Sequence, residues 1–246
     1  MMSESESLRE RALYYEANDQ TKSKLGRFVL TSLIGPPESG KLTLALGAVE
    51  RVNLHKMERW SLAHTLTTRD RNYGLFGDPD PDAPTFQTAD EGVTYSNLVR
   101  RINAGEVVGY SVRQDGTIYA IGAQGFVSTY NILPSMPASI PAISRAGFER
   151  TESIFLTMDV GQWHKRLERQ YPKDWQEDAI ENLEFAESQA DTLHFVHNSG
   201  DRGGKEMAIS EVIDITLGLP RADDRRTGLH VVQAMLKYAK RHVVDN

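Results

Sequence analysis

The segment FVLTSLIGPPESGKLTLALGAVERV, residues 28–52, is the strongest indicator of fold class in this chain. An apolar run rich in β-forming residues ends at Gly35, and a loop follows that closes with Gly40 and Lys41. Apolar residues then recur at helical spacing, at Leu42, Ala45, Leu46 and Val49. The segment therefore predicts a strand, a glycine loop and a helix in succession.

The loop between strand and helix, residues 35–41, has the pattern Gly-x-x-x-x-Gly-Lys and is called the phosphate loop below. Backbone N–H groups of such a loop turn towards phosphate oxygens, and the helix N-terminus adds partial positive charge. Lys41 can reach the terminal phosphates, while Ser39 and Thr43 add hydroxyl groups. The pattern predicts a nucleotide or phosphate site, and a chance glycine loop is the alternative.

The residue after Lys41 departs from the usual phosphate loop. A hydroxyl that binds magnesium commonly follows the lysine, but this chain has Leu42 there. Leucine also fits the position as the first apolar residue of the helix face. Leu42 is thus either the mark of an altered metal site or a core residue.

The composition argues against several classes of protein. The 246 residues carry a formal net charge of -6, which argues against gripping duplex nucleic acid as the main task. The absence of cysteine excludes disulfides, thiolate zinc sites and cysteine nucleophiles. The first twenty residues are polar, and no apolar run reaches about 18 residues. We expect a soluble, cytoplasmic protein without a membrane partner.

Further strands and helices are predicted along the chain. Three short apolar runs, each followed by polar or helical sequence, are NILPSM, SIFLTM and LHFVHN. With the first strand they predict an α/β fold with a parallel sheet wrapped by helices. VVGYSV and TIYAI flank RQDG as a hairpin. Residues 60–90 are expected to be irregular, with GDPDPDAP as an acidic, proline-broken loop.

Helical patterns dominate the second half of the chain. The predicted helices are VGQWHKRLERQY, WQEDAIENLEFAESQ and KEMAISEVIDITLG, after an earlier one at VTYSNLVRRINAGE. The last segment, TGLHVVQAMLKYAKRH, places four apolar residues on one face, at Leu229, Val232, Leu236 and Ala239. This pattern favours a helix packed on the domain, with a partner-binding helix as the alternative.

Several motifs occur in an order that is specific as a set. They are LIGPPESGKLTLA, HTLTTRDR, INAGEVVGYSV, IYAI, SIFLTMDVGQWHKRLERQ and AIENLEFAESQADTLHFVHN. Their order and spacing resemble the guanylate kinase family of P-loop phosphotransferases, which includes ribose bisphosphate phosphokinases. The resemblance covers residues 27–217.

The resemblance implies a domain organisation. A P-loop parallel sheet flanked by helices would occupy residues 27–217, with a small acceptor-binding insertion at 61–124 and a helical lid at 160–178. Residues 1–26 and 218–246 would be helical extensions.

The resemblance also implies roles for individual residues, with ATP as the phosphate donor. Charge on the transferring phosphate would be stabilised by Lys41, Arg166 and Arg169. The nucleotide would be bound by Gly35, Ser39, Gly40, Lys41, Thr43 and, near the adenine, Asn198. The phosphorylated acceptor would be bound by Arg69, Arg71 and Tyr119. Arginine suits these roles because its planar fork bonds two oxygens and stays charged.

Departures from the family pattern affect the acceptor site. The second acceptor-phosphate arginine of the family aligns with Asn72, and Arg71 lies one residue earlier. The two residues that read the guanine edge align with Gly109 and Ile121, which offer no polar side chain. Loss of both hydrogen-bonding groups argues against GMP as the preferred acceptor. Another nucleoside monophosphate or a sugar phosphate is expected instead.

Other departures affect the metal site. Ser135 and Pro137 stand where the family has aspartates, and Asn182 replaces a lid arginine. Together with Leu42, they leave Mg²⁺ to be held mainly by the nucleotide phosphates. Two functions therefore stay open: a kinase that acts on a small phosphorylated acceptor, or a catalytically impaired module that binds a nucleotide or a phosphorylated partner. Nucleotide hydrolysis and phosphorylation of nucleic-acid ends are further alternatives.

Overall fold

The structure is a computed structural model that describes residues 4–55, 59–68, 90–113, 116–170, 175–220 and 225–244. The strands are β1 (Val29–Ile34), β2 (Trp60–Leu62), β3 (Thr65–Thr67), β4 (Asp90–Gly92), β5 (Val107–Val112), β6 (Ile118–Gly122), β7 (Tyr130–Pro134), β8 (Arg150–Thr157) and β9 (His194–His197). The helices are α1 (Glu4–Ala12), α2 (Asp19–Ser23), α3 (Lys41–Leu54), α4 (Tyr95–Asn103), α5 (Ile140–Arg145), α6 (Val160–Gln170), α7 (Trp175–Ser188), α8 (Arg202–Leu217) and α9 (Arg225–Val244).

The chain divides into two compact units. Unit 1 comprises Met1–Val29, Ser61–Asn131 and Ala138–Arg150. Unit 2 comprises Leu30–Trp60, Ile132–Pro137 and Thr151–Asn246.

The central sheet has five parallel strands in the order β2-β7-β1-β8-β9, and most of its residues belong to unit 2. Every residue of β1 is buried, as expected for a parallel strand covered on both faces. In unit 2, α3 packs against α8, while α9 packs against α7 and β9. Because β1 is central, the loop that leaves it lies at the carboxyl edge of the sheet, where open α/β sheets bind ligands.

Unit 1 is built on a four-stranded sheet with the order β4-β3-β6-β5. Strands β5 and β6 form an antiparallel hairpin, with Tyr110 opposite Ala120. The N-terminal helix α1 buries Leu8 and Ala12 in the core of this unit. The Tyr110 hydroxyl donates a hydrogen bond to the carbonyl oxygen of Leu8, 2.9 Å away, so α1 is tied to the hairpin.

The structure confirms the predicted fold class, the hairpin and the four predicted helices at α4, α6, α7 and α8. Helix α8 ends at Gly218, whose left-handed backbone (φ 72°) closes the helix as glycine commonly does. The last helix, α9, buries Val232, Leu236 and Ala239 and packs against α7 and β9. This agrees with the prediction of a helix packed on the domain.

Two expectations about local structure were wrong. Residues 60–68 are not irregular, because they form the three-residue strands β2 and β3, which are too short to show a periodic pattern. Helix α3 buries Leu44, Ala45 and Ala48, so only Ala45 of the four apolar residues predicted at helical spacing is buried. The loop GDPDPDAP lies outside the described residues, and the domain bounds inferred from the resemblance stay a prediction. No helix in the described parts of the chain is long and apolar enough to span a membrane.

Candidate functional site

The phosphate loop connects β1 to α3, and its two outer glycines are required by its shape. Gly35 and Gly40 have positive φ values of 155° and 92°, which side chains rarely adopt. A Cβ on Gly35 would lie 2.8 Å from the Ser39 hydroxyl oxygen, and one on Gly40 would lie 2.7 Å from Nδ2 of Asn198. Any residue other than glycine at either position would therefore require the loop to rearrange.

Glu38, inside the phosphate loop, also has a positive φ of 60° and is the one non-glycine with such a value among the described residues. A left-handed conformation costs an ordinary residue about 1 kcal/mol. Strained backbone of this kind concentrates at functional sites. Sequence reasoning did not single out Glu38, although a charged residue between the two loop glycines was a visible signal.

The carbonyl oxygens of residues 35–39 all accept hydrogen bonds from side chains. The donors are Lys41 Nζ to Gly35 (2.6 Å) and Pro36 (2.9 Å), Trp163 Nε1 to Pro37 (2.7 Å), Arg166 Nη1 to Glu38 (3.2 Å) and Asn198 Nδ2 to Ser39 (2.9 Å). The C=O and N–H of a trans peptide group point in opposite directions. Fixing these carbonyls therefore fixes the directions of the loop N–H groups.

Lys41 is half-buried, and burial lowers its pKa to about 8, while Glu38 and Asp178 act in the opposite direction. Burial raises the pKa of Glu38, and the nearby charges of Arg166 and Lys41 oppose that rise. Two cations and two carboxylates thus interact in a poorly solvated region at the start of α3. Such a region strengthens the attraction between Lys41 or Arg166 and an added anion.

Two parts of unit 2, helix α6 and the segment after β9, bring distant residues to the phosphate loop. Trp163 and Arg166 come from α6, and Arg166 Nη2 also donates to the carbonyl oxygen of Gly200, 3.4 Å away. Asn198 follows β9 and is buried; its Oδ1 accepts a hydrogen bond from Gly200 N at 3.2 Å. Both ends of the Asn198 amide are engaged by backbone groups, so its expected place near an adenine stays a prediction.

The hydroxyl and apolar side chains around Lys41 differ in exposure. Ser39 is buried, and its Oγ has no hydrogen-bond partner among the described residues. Thr43 is exposed in the first turn of α3. Leu42 is 40% exposed, so the alternative that it is a core residue was wrong. The side chain at the usual magnesium-binding position is therefore accessible but has no oxygen.

Two positions that depart from the family pattern, Ser135 after β7 and Asn182 on α7, have hydrogen bonds to nearby backbone. Ser135 is buried, and its hydroxyl donates to the carbonyl oxygen of Leu133 at 3.2 Å. Asn182 donates from Nδ2 to the carbonyl oxygen of Asp178 at 2.7 Å. In the described ranges no group of three or more His, Cys, Asp or Glu side chains could hold a metal ion. That Mg²⁺ is held mainly by the nucleotide phosphates stays a prediction.

The expected acceptor residues belong to another part of the chain. Arg69 and Arg71 lie outside the described residues, as does the side chain of Arg169, whose backbone lies in α6. Tyr119 is half-buried on β6 in unit 1, opposite Thr67 and Ser111. The structure therefore brings together the expected nucleotide residues of unit 2 and leaves the acceptor residues as predictions.

Gly109 and Ile121, the positions aligned with guanine-reading residues, lie opposite each other on β5 and β6. A Cβ on Gly109 would lie 3.1 Å from the Ala142 Cβ atom and 3.5 Å from the carbonyl oxygen of Ser139. Ile121 is buried. Gly109 thus faces packed protein, and neither position presents a polar side chain within unit 1.

A solved structure of a known protein resembles this chain. The crystal structure of guanylate kinase from Anaplasma phagocytophilum matches with a TM-score of 0.50 and 16% sequence identity, over 82% of this chain and 89% of that chain. The fold is guanylate kinase-like. No protein-family model and no curated protein sequence matches the chain. The family resemblance read from the motifs is therefore confirmed for the fold, and the ribose bisphosphate branch is not confirmed.

Proposed function

We propose that this protein binds the phosphates of ATP at residues 35–43 and transfers a phosphoryl group to a small phosphorylated acceptor. The observation that carries the proposal is the phosphate loop itself. Side chains hold all its carbonyls from residue 35 to residue 39, and two of the donors, Lys41 and Arg166, are cations. Oriented N–H groups and cations at a helix N-terminus form an anion site.

In this proposal Lys41 and Arg166 stabilise negative charge on the transferring phosphate, together with Arg169. Phosphoryl transfer needs mostly positioning and charge stabilisation, and these are what a fixed loop and two neighbouring cations supply. Arg69, Arg71 and Tyr119 would hold the acceptor. The solved guanylate kinase with the same fold supports nucleotide chemistry at this level.

The proposed acceptor is a nucleoside monophosphate other than GMP, or a sugar phosphate. Gly109 faces Ala142 and Ser139, and Ile121 is buried, so no polar side chain at these positions can read a guanine edge. Without polar side chains at these positions, the acceptor site cannot select guanine over other bases through buried hydrogen bonds.

Nucleotide binding without transfer is the second candidate. It is favoured by Leu42, which presents an apolar side chain to solvent, and by the Ser135 hydroxyl, which is bonded to its own strand. On either proposal, Mg²⁺ arrives with the nucleotide phosphates rather than on protein ligands.

Two measurements test the proposal. Calorimetry with ADP should show binding that Lys41→Ala weakens at least about tenfold, the size of one lost charged hydrogen bond, while the exposed Lys237→Ala does not. Equal affinity in wild type and Lys41→Ala would refute the phosphate site. Transfer from ATP is then measured across GMP, dGMP, UMP and ribose phosphates. Binding with no turnover on any acceptor would favour the second candidate.

A further inference from the structure

We infer that Tyr238, on the last helix α9, is a positioning residue that acts through Trp163 to hold the phosphate loop in its anion-binding conformation. The inference concerns how α9, outside the expected phosphotransferase domain, contributes to the site. Its effect on nucleotide affinity rests on the proposed function, whereas its effect on the loop does not.

The first step is the contact between Trp163 and the phosphate loop. Trp163 is completely buried on α6, and its Nε1 donates to the carbonyl oxygen of Pro37 at 2.7 Å. That carbonyl and the N–H of Glu38 belong to the same peptide group. Pro36 and Pro37 have no N–H, so the Glu38 N–H is the first donor after Gly35 that the loop can offer to a phosphate. Trp163 therefore sets the orientation of this donor.

The second step is the support of Trp163 by two other helices. Trp163 packs edge-on against Trp175 of α7, with ring centroids 5.3 Å apart at 78°. It also packs edge-on against Tyr238, at 6.0 Å and 61°. Tyr238 in turn stacks on Trp175, at 6.3 Å and 17°. The three rings come from α6, α7 and α9, so the position of the indole depends on α9.

Hydrogen bonds fix the orientation of Tyr238. Its hydroxyl bonds to Nδ1 of His164, and Nε2 of His164 lies 3.1 Å from a carboxylate oxygen of Glu168. Burial raises the pKa of Tyr238, and Glu168 adds to the rise, so the phenol keeps its proton. An imidazole that accepts at Nδ1 from Tyr238 and donates from Nε2 to Glu168 satisfies this chain. Tyr238 is thereby joined to α6, the helix that carries Trp163.

Helix α9 is itself firmly seated in unit 2. Val232, Met235 and Ala239 are completely buried. Lys240 pairs with Glu184 of α7 at 2.7 Å. A Cβ on Gly228 would lie 2.4 Å from the Phe195 Cβ atom on β9, so the backbone of α9 approaches the central sheet closely. Because interiors are close-packed, this seat holds the ring of Tyr238 at a fixed place against Trp163, and Tyr238 is the residue through which α9 reaches the indole.

The test compares Tyr238→Ala with Val232→Ala, a matched control that removes a buried side chain from the same helix. Val232 lies six residues earlier, about 9 Å along the helix. Hydrogen exchange of the Ser39 backbone amide, which donates to the carbonyl oxygen of Pro36 at 3.3 Å, is measured without nucleotide, together with ADP affinity. Tyr238→Ala should speed exchange at least about tenfold, and it should weaken ADP binding by the factor by which the fraction of molecules with the binding-competent loop falls. Val232→Ala should change both by less than about twofold.

Trp163→Phe supplies a second variant that keeps an aromatic ring and removes the donor to Pro37. It should also speed exchange of the Ser39 amide, and it tests the inference by itself if Tyr238→Ala does not fold. Equal effects of Tyr238→Ala and Val232→Ala, or unchanged exchange in Trp163→Phe, would overturn the inference. If the variants differ from the wild type in exchange as expected but the wild type binds no ADP, the proposed function is refuted and the inference stands.

Discussion

The ammonium group of Lys41 lies 2.6 Å from the carbonyl oxygen of Gly35, so the lysine folds back onto the loop that precedes it. A second hydrogen bond, 2.9 Å long, joins it to the carbonyl oxygen of Pro36. Two of its three donors are thus engaged by the loop, and the charge is held at the start of α3. An anion that reaches the loop meets a cation already in place, which avoids the entropy cost of ordering a long side chain.

The pKa of Lys41 predicts how nucleotide affinity depends on pH. Because burial lowers this pKa to about 8, the ammonium is charged below that pH and loses its proton above it. A bound phosphate favours the charged form, so loss of the Lys41 proton should lower ADP affinity about twofold by pH 8 and about tenfold by pH 9, relative to pH 7. Calorimetry at several pH values measures this. Lys41→Arg, which stays charged, should bind with little change over that range. The prediction fails if both proteins lose affinity equally.

Glu38 is expected to weaken anion binding, because its carboxylate interacts with Lys41 and Arg166. Glu38→Gln keeps the shape of the side chain and removes the charge, so ADP affinity should rise about threefold to tenfold. Burial raises the pKa of Glu38, so lower pH neutralises the wild-type residue and should narrow the difference between the two proteins. Glu187→Gln, at an exposed position on α7, is the control. Weaker binding in Glu38→Gln would show that the carboxylate supports the ligand instead.

Leu42→Ser is expected to add a metal-directed hydroxyl beside the phosphate loop. Because Leu42 is 40% exposed, the change should lower the free energy of unfolding by less than about 1 kcal/mol. Magnesium-dependent ADP binding should tighten about fivefold, equivalent to about 1 kcal/mol for one new polar contact. Calorimetry with and without Mg²⁺ measures the gain, and Leu42→Ala controls for the lost leucine. Tightening that is the same in the absence of Mg²⁺ would count against a metal effect.

Asn198→Asp tests whether this residue anchors the loop or reads a base. The substitution places a carboxylate oxygen against the carbonyl oxygen of Ser39 and should destabilise the protein by about 1–3 kcal/mol in urea unfolding. If Asn198 anchors the loop, the substitution should weaken ATP and GTP binding by the same factor. Asn53→Asp, which alters a similar bond to the carbonyl oxygen of Trp60, should cost stability without this loss of affinity. A selective loss of ATP binding would instead support the adenine role.

Sequence reasoning succeeded where the signal is local. The strand, the two loop glycines and Lys41 are contiguous, so φ requirements and helix initiation can be read from neighbouring residues. The rotation of α3 could not be read in this way. Its apolar residues allow more than one buried face, and the face is chosen by α8, where Ile209 occupies the space that a Cβ on Gly47 would need, 2.5 Å away. Leu42 lies outside the buried face.

The sequence by itself determined the strand, glycine loop and helix, the parallel α/β class and the loss of oxygen ligands at Leu42, because each depends on residue type at a known spacing. Tertiary structure alone decided which side chains hold the carbonyls of Pro37, Glu38 and Ser39. Trp163 and Asn198 are more than 120 residues from the carbonyls that they bind. Hydrogen bonds of this kind depend on distances of about 3 Å between segments far apart in the chain, and such distances exist only after the helices and the sheet have packed together.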